Sequence, residues 1–207
     1  MRSSAAAAIA FSLAFLQAGT LFAGPSPLEA PDAARAVRET LAAAERTVAG
    51  EGSHNEKLAR LREIARTLFD TEAMAENALG DVLAALPPEE QQAFFRLYDE
   101  YVVRAYLQKL LFFRNPHFTV APTERRPTGD ALVRTHIRTE RDEYSVDYVL
   151  REVGGRWMAT DIVVEGVSLS HNHGEQFRSL LRKESFEELL DRMRSKVESQ
   201  RLREAGS

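Results

Sequence analysis

The chain of 207 residues contains no cysteine. Disulfides are excluded, as is a lipid-modified amino-terminal cysteine, and whatever core the chain builds must hold it alone. After the first 23 residues no stretch is long and apolar enough to cross a bilayer. There is no glycine-rich phosphate loop, so the chain shows no evident nucleotide site. Positive charge is not in surplus either: 27 Lys and Arg stand against 31 Asp and Glu, a net of −4. That balance argues against nucleic acid as a partner and against simple electrostatic adhesion to anionic lipid.

What is present begins with a secretory pattern. Met1-Arg2 supplies a short positive start, and an apolar run follows from Ala5 to Leu16. Gln17 and Thr20 interrupt its end, which leaves it shorter than the roughly 20 apolar residues of a membrane span. Ala23, before Gly24-Pro25, is the expected cleavage point of a signal peptide over residues 1–23. An irregular lead-in at 24–30 and a single domain at 31–203 complete the expected organisation, and the 184 residues left after cleavage suffice for one substantial core.

Periodicity divides that domain into three stretches. Helices are expected over about 32–49, 56–68 and from Thr71 to near Gly80, with Thr71 as an N-cap. The longest, about 88–113, carries Phe94, Tyr98, Val102, Tyr106 and Leu110 at four-residue spacing, with Phe95, Tyr101, Leu107 and Leu111 widening the stripe. So much apolar surface needs more than one covering element. From residue 115 the period drops to two. Strands are expected at 118–120, 131–140, 144–152 and 156–164, the last two joined by a Gly154-Gly155 hairpin turn. Val133, Thr135 and Ile137 alternate against Arg134, His136 and Arg138, and Tyr144, Val146, Tyr148 and Leu150 share one face. Two helices, about 174–183 and 186–203, close the chain. Helices, then an antiparallel meander, then helices give an α+β fold, with helices packed on a twisted sheet of about four strands.

Catalytic motifs are only approached. Gly166-Val167-Ser168-Leu169-Ser170 resembles a nucleophile elbow but ends in serine. His171 and His173 are one residue apart with no third ligand nearby in sequence, which reads as a solvated turn with a helix cap. Asp161 and Glu165 lie four apart in or near a strand, about 13 Å, too far for joint acid–base work. No catalytic residue, metal ligand or cofactor is expected. The signal that stands out is the apolar excess: Phe69, Met74, Leu79, Phe94, Tyr98, Val102, Tyr106, Val133, Ile137, Val146, Tyr148, Leu150 and Val163. Such residues build either a solid core or the wall of a cavity, and periodicity is the same for both.

The segment 156–177 carries a family resemblance. Trp157, Asp161, Val163, Glu165-Gly166-Val167-Ser168-Leu169, Asn172 and Gln176-Phe177 resemble the signature of the MlaC family of toluene-tolerance auxiliary proteins. Phe69-Asp70, Met74, Ala78-Leu79-Gly80, Leu86-Pro87, Phe94, Phe95, Tyr106 and Tyr148-Val149-Leu150 extend the likeness over roughly 33–191. Where that family often has an aromatic-Arg pair after the asparagine, this chain has His173-Gly174.

The resemblance implies a cone related to nuclear-transport-factor-2-like folds, with an apolar pocket for the acyl tails of a phospholipid. It implies a periplasmic carrier working between an outer-membrane lipoprotein complex and the lipid-binding subunit of an inner-membrane ABC transporter. Under it, the expected lipid-binding residues are Phe69, Met74, Phe94, Tyr98, Val102, Tyr106, Val133, Val146, Tyr148 and Val163, with tyrosine hydroxyls near the pocket mouth. Two alternatives remain open at this point: a small exported isomerase-like enzyme using the same pocket, or an adaptor with a solid core.

Overall fold

The computed structural model describes residues 30–112, 116–140 and 142–205. The expected signal peptide lies outside the described residues. Helix α1 (Pro31–Ala49) starts on a proline, tolerated where the backbone N–H has no helical partner, and buries Ala33, Ala34, Val37, Leu41 and Ala44. Helix α2 (His54–Arg66) opens on a capping box between Ser53 and Glu56 and buries Leu58, Leu61 and Ala65. Helix α3 (Thr71–Leu79) is capped by Asp70, whose carboxylate accepts from Ala73 N at 2.9 Å. Thr71 was expected in that role; its hydroxyl instead donates to Asp99 at 2.9 Å. After the short α4 (Asp81–Ala84) comes the 25-residue α5 (Pro88–Phe112).

The sheet follows: β1 (His117–Val120), β2 (Glu124–Arg125), β3 (Ala131–Arg138), β4 (Glu143–Val153), β5 (Arg156–Val164) and β6 (Val167–Ser168). Its order is β1-β3-β4-β5-β6, all antiparallel, with β2 also on β3. The two additional strands, β2 and β6, are two-residue edges. The β4–β5 turn uses Gly154 and Gly155 at φ 57° and 77°, angles that side chains with a Cβ rarely adopt. From that turn the register runs Val153–Arg156 to Leu150–Ala159, then slips by one residue so that Val149 faces Asp161 and Val146 faces Val164. The extra residue, Thr160, is a β-bulge. Its carbonyl oxygen accepts from Asn77 of α3 at 2.9 Å. Beside it Ala159 N donates to Leu68 O and Asp70 N to Ala159 O, tying the α2–α3 connection to β5.

Helices α6 (Leu169–Leu181) and α7 (Phe186–Ala205) close the fold. α6 starts five residues before the expected 174, because Ser168 caps it by accepting from His171 N at 3.1 Å. The Ser168 hydroxyl in turn donates to Asp161, whose carboxylate also accepts from Ser170 N at 3.1 Å. Asp161 is therefore the anchor of α6 on β5. Glu165, the one non-glycine residue at positive φ (49°) among the described residues, accepts from Ser145 N and pins the β5–β6 turn to β4.

The buried apolar residues form two packed clusters. One joins α3, α5, α6 and α7 around Met74, Phe94, Tyr98, Phe177, Leu189 and Met193. The other joins α1 to the sheet around Val37, Leu41, Val133, Tyr148 and Leu150. Phe69 and Ile162 touch both.

Candidate functional site

Between the two clusters lies a hollow of about 530 Å³. Four groups of residues enclose it. α1 and α2 give Leu41, Ala44, Leu61, Ile64 and Ala65. The second half of α5 gives Val102, Val103, Tyr106, Leu107 and Leu110. The sheet gives Phe118, Ile137, Tyr144, Val146, Ile162 and Val164. Phe69 and Tyr148, with ring centroids 6.1 Å apart, and Leu68 complete the lining. The polar lining is Thr40, Thr71, the three tyrosines and Lys109; no carboxylate or imidazole is among the described residues there. Such a surface can shelter hydrocarbon.

Five of the ten residues expected at the site line this hollow: Phe69, Val102, Tyr106, Val146 and Tyr148. The other five do not, for three reasons. Met74, Phe94 and Tyr98 are fully buried in the helical cluster, because α3, α6 and α7 cover the first half of α5 and leave only its second half facing the hollow. Val133 is fully buried in the cluster that joins α1 to the sheet and does not reach the hollow, which opens at Ile137, Tyr144 and Val146. Val163 pairs with Asp147 and Ser168 and points to the outer face, since the bulge at Thr160 turns Ile162 and Val164 inward.

The tyrosine hydroxyls are also distributed otherwise than expected. Tyr98 is hydrogen-bonded to His173 Nδ1 at 3.1 Å inside the helical cluster, and burial pushes its hydroxyl's pKa well up. Tyr148 is buried with Thr135 beside its hydroxyl, and burial again raises its pKa. Of the three named for the mouth, Tyr106 alone remains half-exposed. His173 is not in a solvated turn. It sits one turn inside α6 among Tyr98, Tyr101, Tyr106 and Phe177, and burial lowers its pKa to about 4 against a slight upward pull from Asp161. Next to it Gly174 lies so close to the Ala78 carbonyl that no Cβ would fit, and Arg178 donates to that same carbonyl at 2.7 Å.

Sequence reasoning missed the contributions of α1, α2 and the far end of the sheet. Leu41, Leu61 and Ile64 stand within the stretches expected as helices, and Ile137 and Tyr144 continue the inward-facing strand positions. Nothing local in the sequence says which part of a stripe faces a void. A second depression of similar volume, about 530 Å³, lies between α1 and the β4–β5 hairpin. Asp32, Arg35, Glu39, Glu152 and Arg156 line it with Trp157, which makes it a polar, open groove unsuited to hydrocarbon.

Comparison with known proteins agrees with this architecture. The structure superposes on a phospholipid-binding protein from Ralstonia solanacearum, solved in complex with a phospholipid, with a TM-score of 0.73 and 21% sequence identity. The superposition covers 82% of this chain and 98% of that one, which shows the same fold. Among curated sequences the chain is 25% identical over 97 residues to the toluene tolerance protein ttg2D of Pseudomonas putida. That match spans 46% of this chain and 45% of the relative's length. The profile of the MlaC protein family matches residues 34–195, which takes in every element from α1 to the first half of α7. On that match, the chain belongs to the MlaC family.

Proposed function

We propose that this protein is a periplasmic phospholipid carrier that holds acyl tails in the hollow between its two clusters. The observation that carries the reading is the hollow itself: about 530 Å³, lined among the described residues mostly by apolar side chains, with Lys109 the one charge at its edge. A phospholipid in water exposes two tails at about 0.8 kcal/mol per methylene, on the order of 10 kcal/mol for each tail of ordinary length. Its spontaneous transfer between membranes is correspondingly slow. A carrier needs only to replace the bilayer interior with a surface of similar quality, and the hollow has that quality. The phospholipid bound by the Ralstonia protein of the same fold supports the choice of cargo.

The finer parts of the reading rest on the family. Residues 1–23 export the chain, and the loaded protein passes between an outer-membrane lipoprotein complex and the lipid-binding subunit of an inner-membrane ABC transporter. Mass spectrometry of an organic extract of the natively purified protein tests the cargo, with stoichiometric phospholipid as the expected result. An extract free of lipid, together with failure to take up a labelled phospholipid from vesicles, would overturn it.

A further inference from the structure

We propose that Lys109 is the anchor for the head of the bound lipid, its ammonium pairing with an anionic group attached to tails that lie in the hollow. This rests on the reading of the hollow as a lipid site and adds where the head sits and what it must carry.

Among the described residues that line the hollow, Lys109 is the one that carries a charge, and it is exposed while the surrounding described wall is buried or half-buried. The hollow therefore meets solvent at this residue. The Nζ atom stands 5.0 Å from the centroid of the Tyr106 ring, and that ring is itself part of the wall. A positive charge is thus held at the boundary between apolar lining and water. The methylene stem can follow the wall while the ammonium stays hydrated until an anion arrives.

Several described charges on the elements that wall the hollow are already engaged with one another. Arg104, on the same helix, meets Glu204 and Glu100. On α1, Glu45 is taken by His117 of β1 at 2.9 Å. At the end of the β3–β4 hairpin, Glu143 faces both Arg138 and His136. Among the described residues no carboxylate lies within ion-pair distance of Lys109, whose recorded partner is the Tyr106 ring. A cation without a carboxylate at the edge of an apolar cavity complements an amphiphile with an anionic head.

The residue type adds a statement about specificity. A single ammonium is a point charge on a flexible stem and lacks the two-pronged fit of a guanidinium. It reads charge near the glycerol and not the shape of the head beyond it. Phosphatidylglycerol and phosphatidylethanolamine, which share the phosphodiester, are bound alike. A fatty acid offers its carboxylate to the same ammonium.

The test compares the full chain with Lys109→Met, which keeps an apolar stem, and Lys109→Glu. The probes are short-chain phosphatidylglycerol, phosphatidylethanolamine, the neutral diacylglycerol with the same tails, and decanoate. Lys109→Met is expected to weaken both phospholipids about fivefold at low salt and Lys109→Glu about twentyfold, with the difference shrinking as salt rises. Binding of the neutral diacylglycerol stays unchanged in both variants. A loss confined to decanoate would assign the anchor to carboxylates instead of phosphodiesters. Unchanged phospholipid binding, or an equal loss of the neutral lipid, would overturn the anchor while leaving the hollow as the tail site. If the unaltered protein binds none of the diacyl probes, the carrier reading itself falls.

Discussion

Val146, Val133 and Val163 lie on three adjacent strands, and replacing each by tryptophan separates wall, core and outer face. Val146 points into the hollow, so an indole there has room and occupies space meant for a tail. It brings about seven more heavy atoms than an isopropyl group. If each displaces one methylene at about 0.8 kcal/mol, complete exclusion costs about 5–6 kcal/mol. A tail that slides aside recovers part of this, and about 3 kcal/mol, or roughly a hundredfold in Kd, is expected. Folding stability should change by less than about 1 kcal/mol, since nothing is overpacked. Val133 is fully buried and lines no part of the hollow, so Val133→Trp should destabilise the fold by about 3 kcal/mol or more while the folded fraction keeps its affinity. Val163→Trp, on the outer face, should leave both unchanged. Urea titration gives stability, and fluorescence titration with a labelled phospholipid gives affinity. Wild-type affinity and lipid content in Val146→Trp would refute the placement of tails between the two clusters.

The buried histidine gives a pH prediction. His173 is held near pKa 4 when folded and returns to about 6.5 when unfolded, so between those values the unfolded chain binds more protons. Its contribution is fully present above pH 6.5 and is lost as pH falls towards 4; at 1.36 kcal/mol per pH unit the loss reaches roughly 3 kcal/mol. His173→Phe should flatten the fall in urea midpoint between pH 6.5 and 4 relative to wild type, and an unchanged slope would exclude this histidine as its source. At Gly174 alanine is the better helix former by about 1 kcal/mol, yet its Cβ would strike the Ala78 carbonyl and force α3 from α6. Gly174→Ala should therefore cost a net of about 2 kcal/mol and lower Tm by about 5 °C in calorimetry, whereas a raised Tm would contradict the close approach.

The sequence carried the element order because its periods are clean: four along α5, two along β3 and β4. The site was half legible for two reasons. Along α5 one unbroken stripe serves two environments, with Phe94 and Tyr98 under other helices and Tyr106 and Leu110 facing a void, and only tertiary packing decides where one ends. On β5 the run Ile162-Val163-Val164 does not alternate, so it hides its own inward face. Counting back from the Gly154-Gly155 turn without interruption would set Val163 opposite Val146; the bulge at Thr160 moves every later residue to the other side. The start of α6 was misplaced because the Ser168 cap depends on Asp161, seven residues away on another element. His173 was consequently read as part of a polar turn.

Glu204 accepts from Arg104, from Arg62 of α2 at 2.7 Å and from Gln108 at 2.9 Å. Burial alone would raise the pKa of Glu204, but the two guanidiniums hold it below the usual carboxylate range. The clasp joins two helices that wall the hollow, using a residue 142 positions after Arg62. A chain made amino-terminus first must extend as far as Glu204 before this buckle can fasten, so the two helices are held apart from their clasp until α7 has emerged.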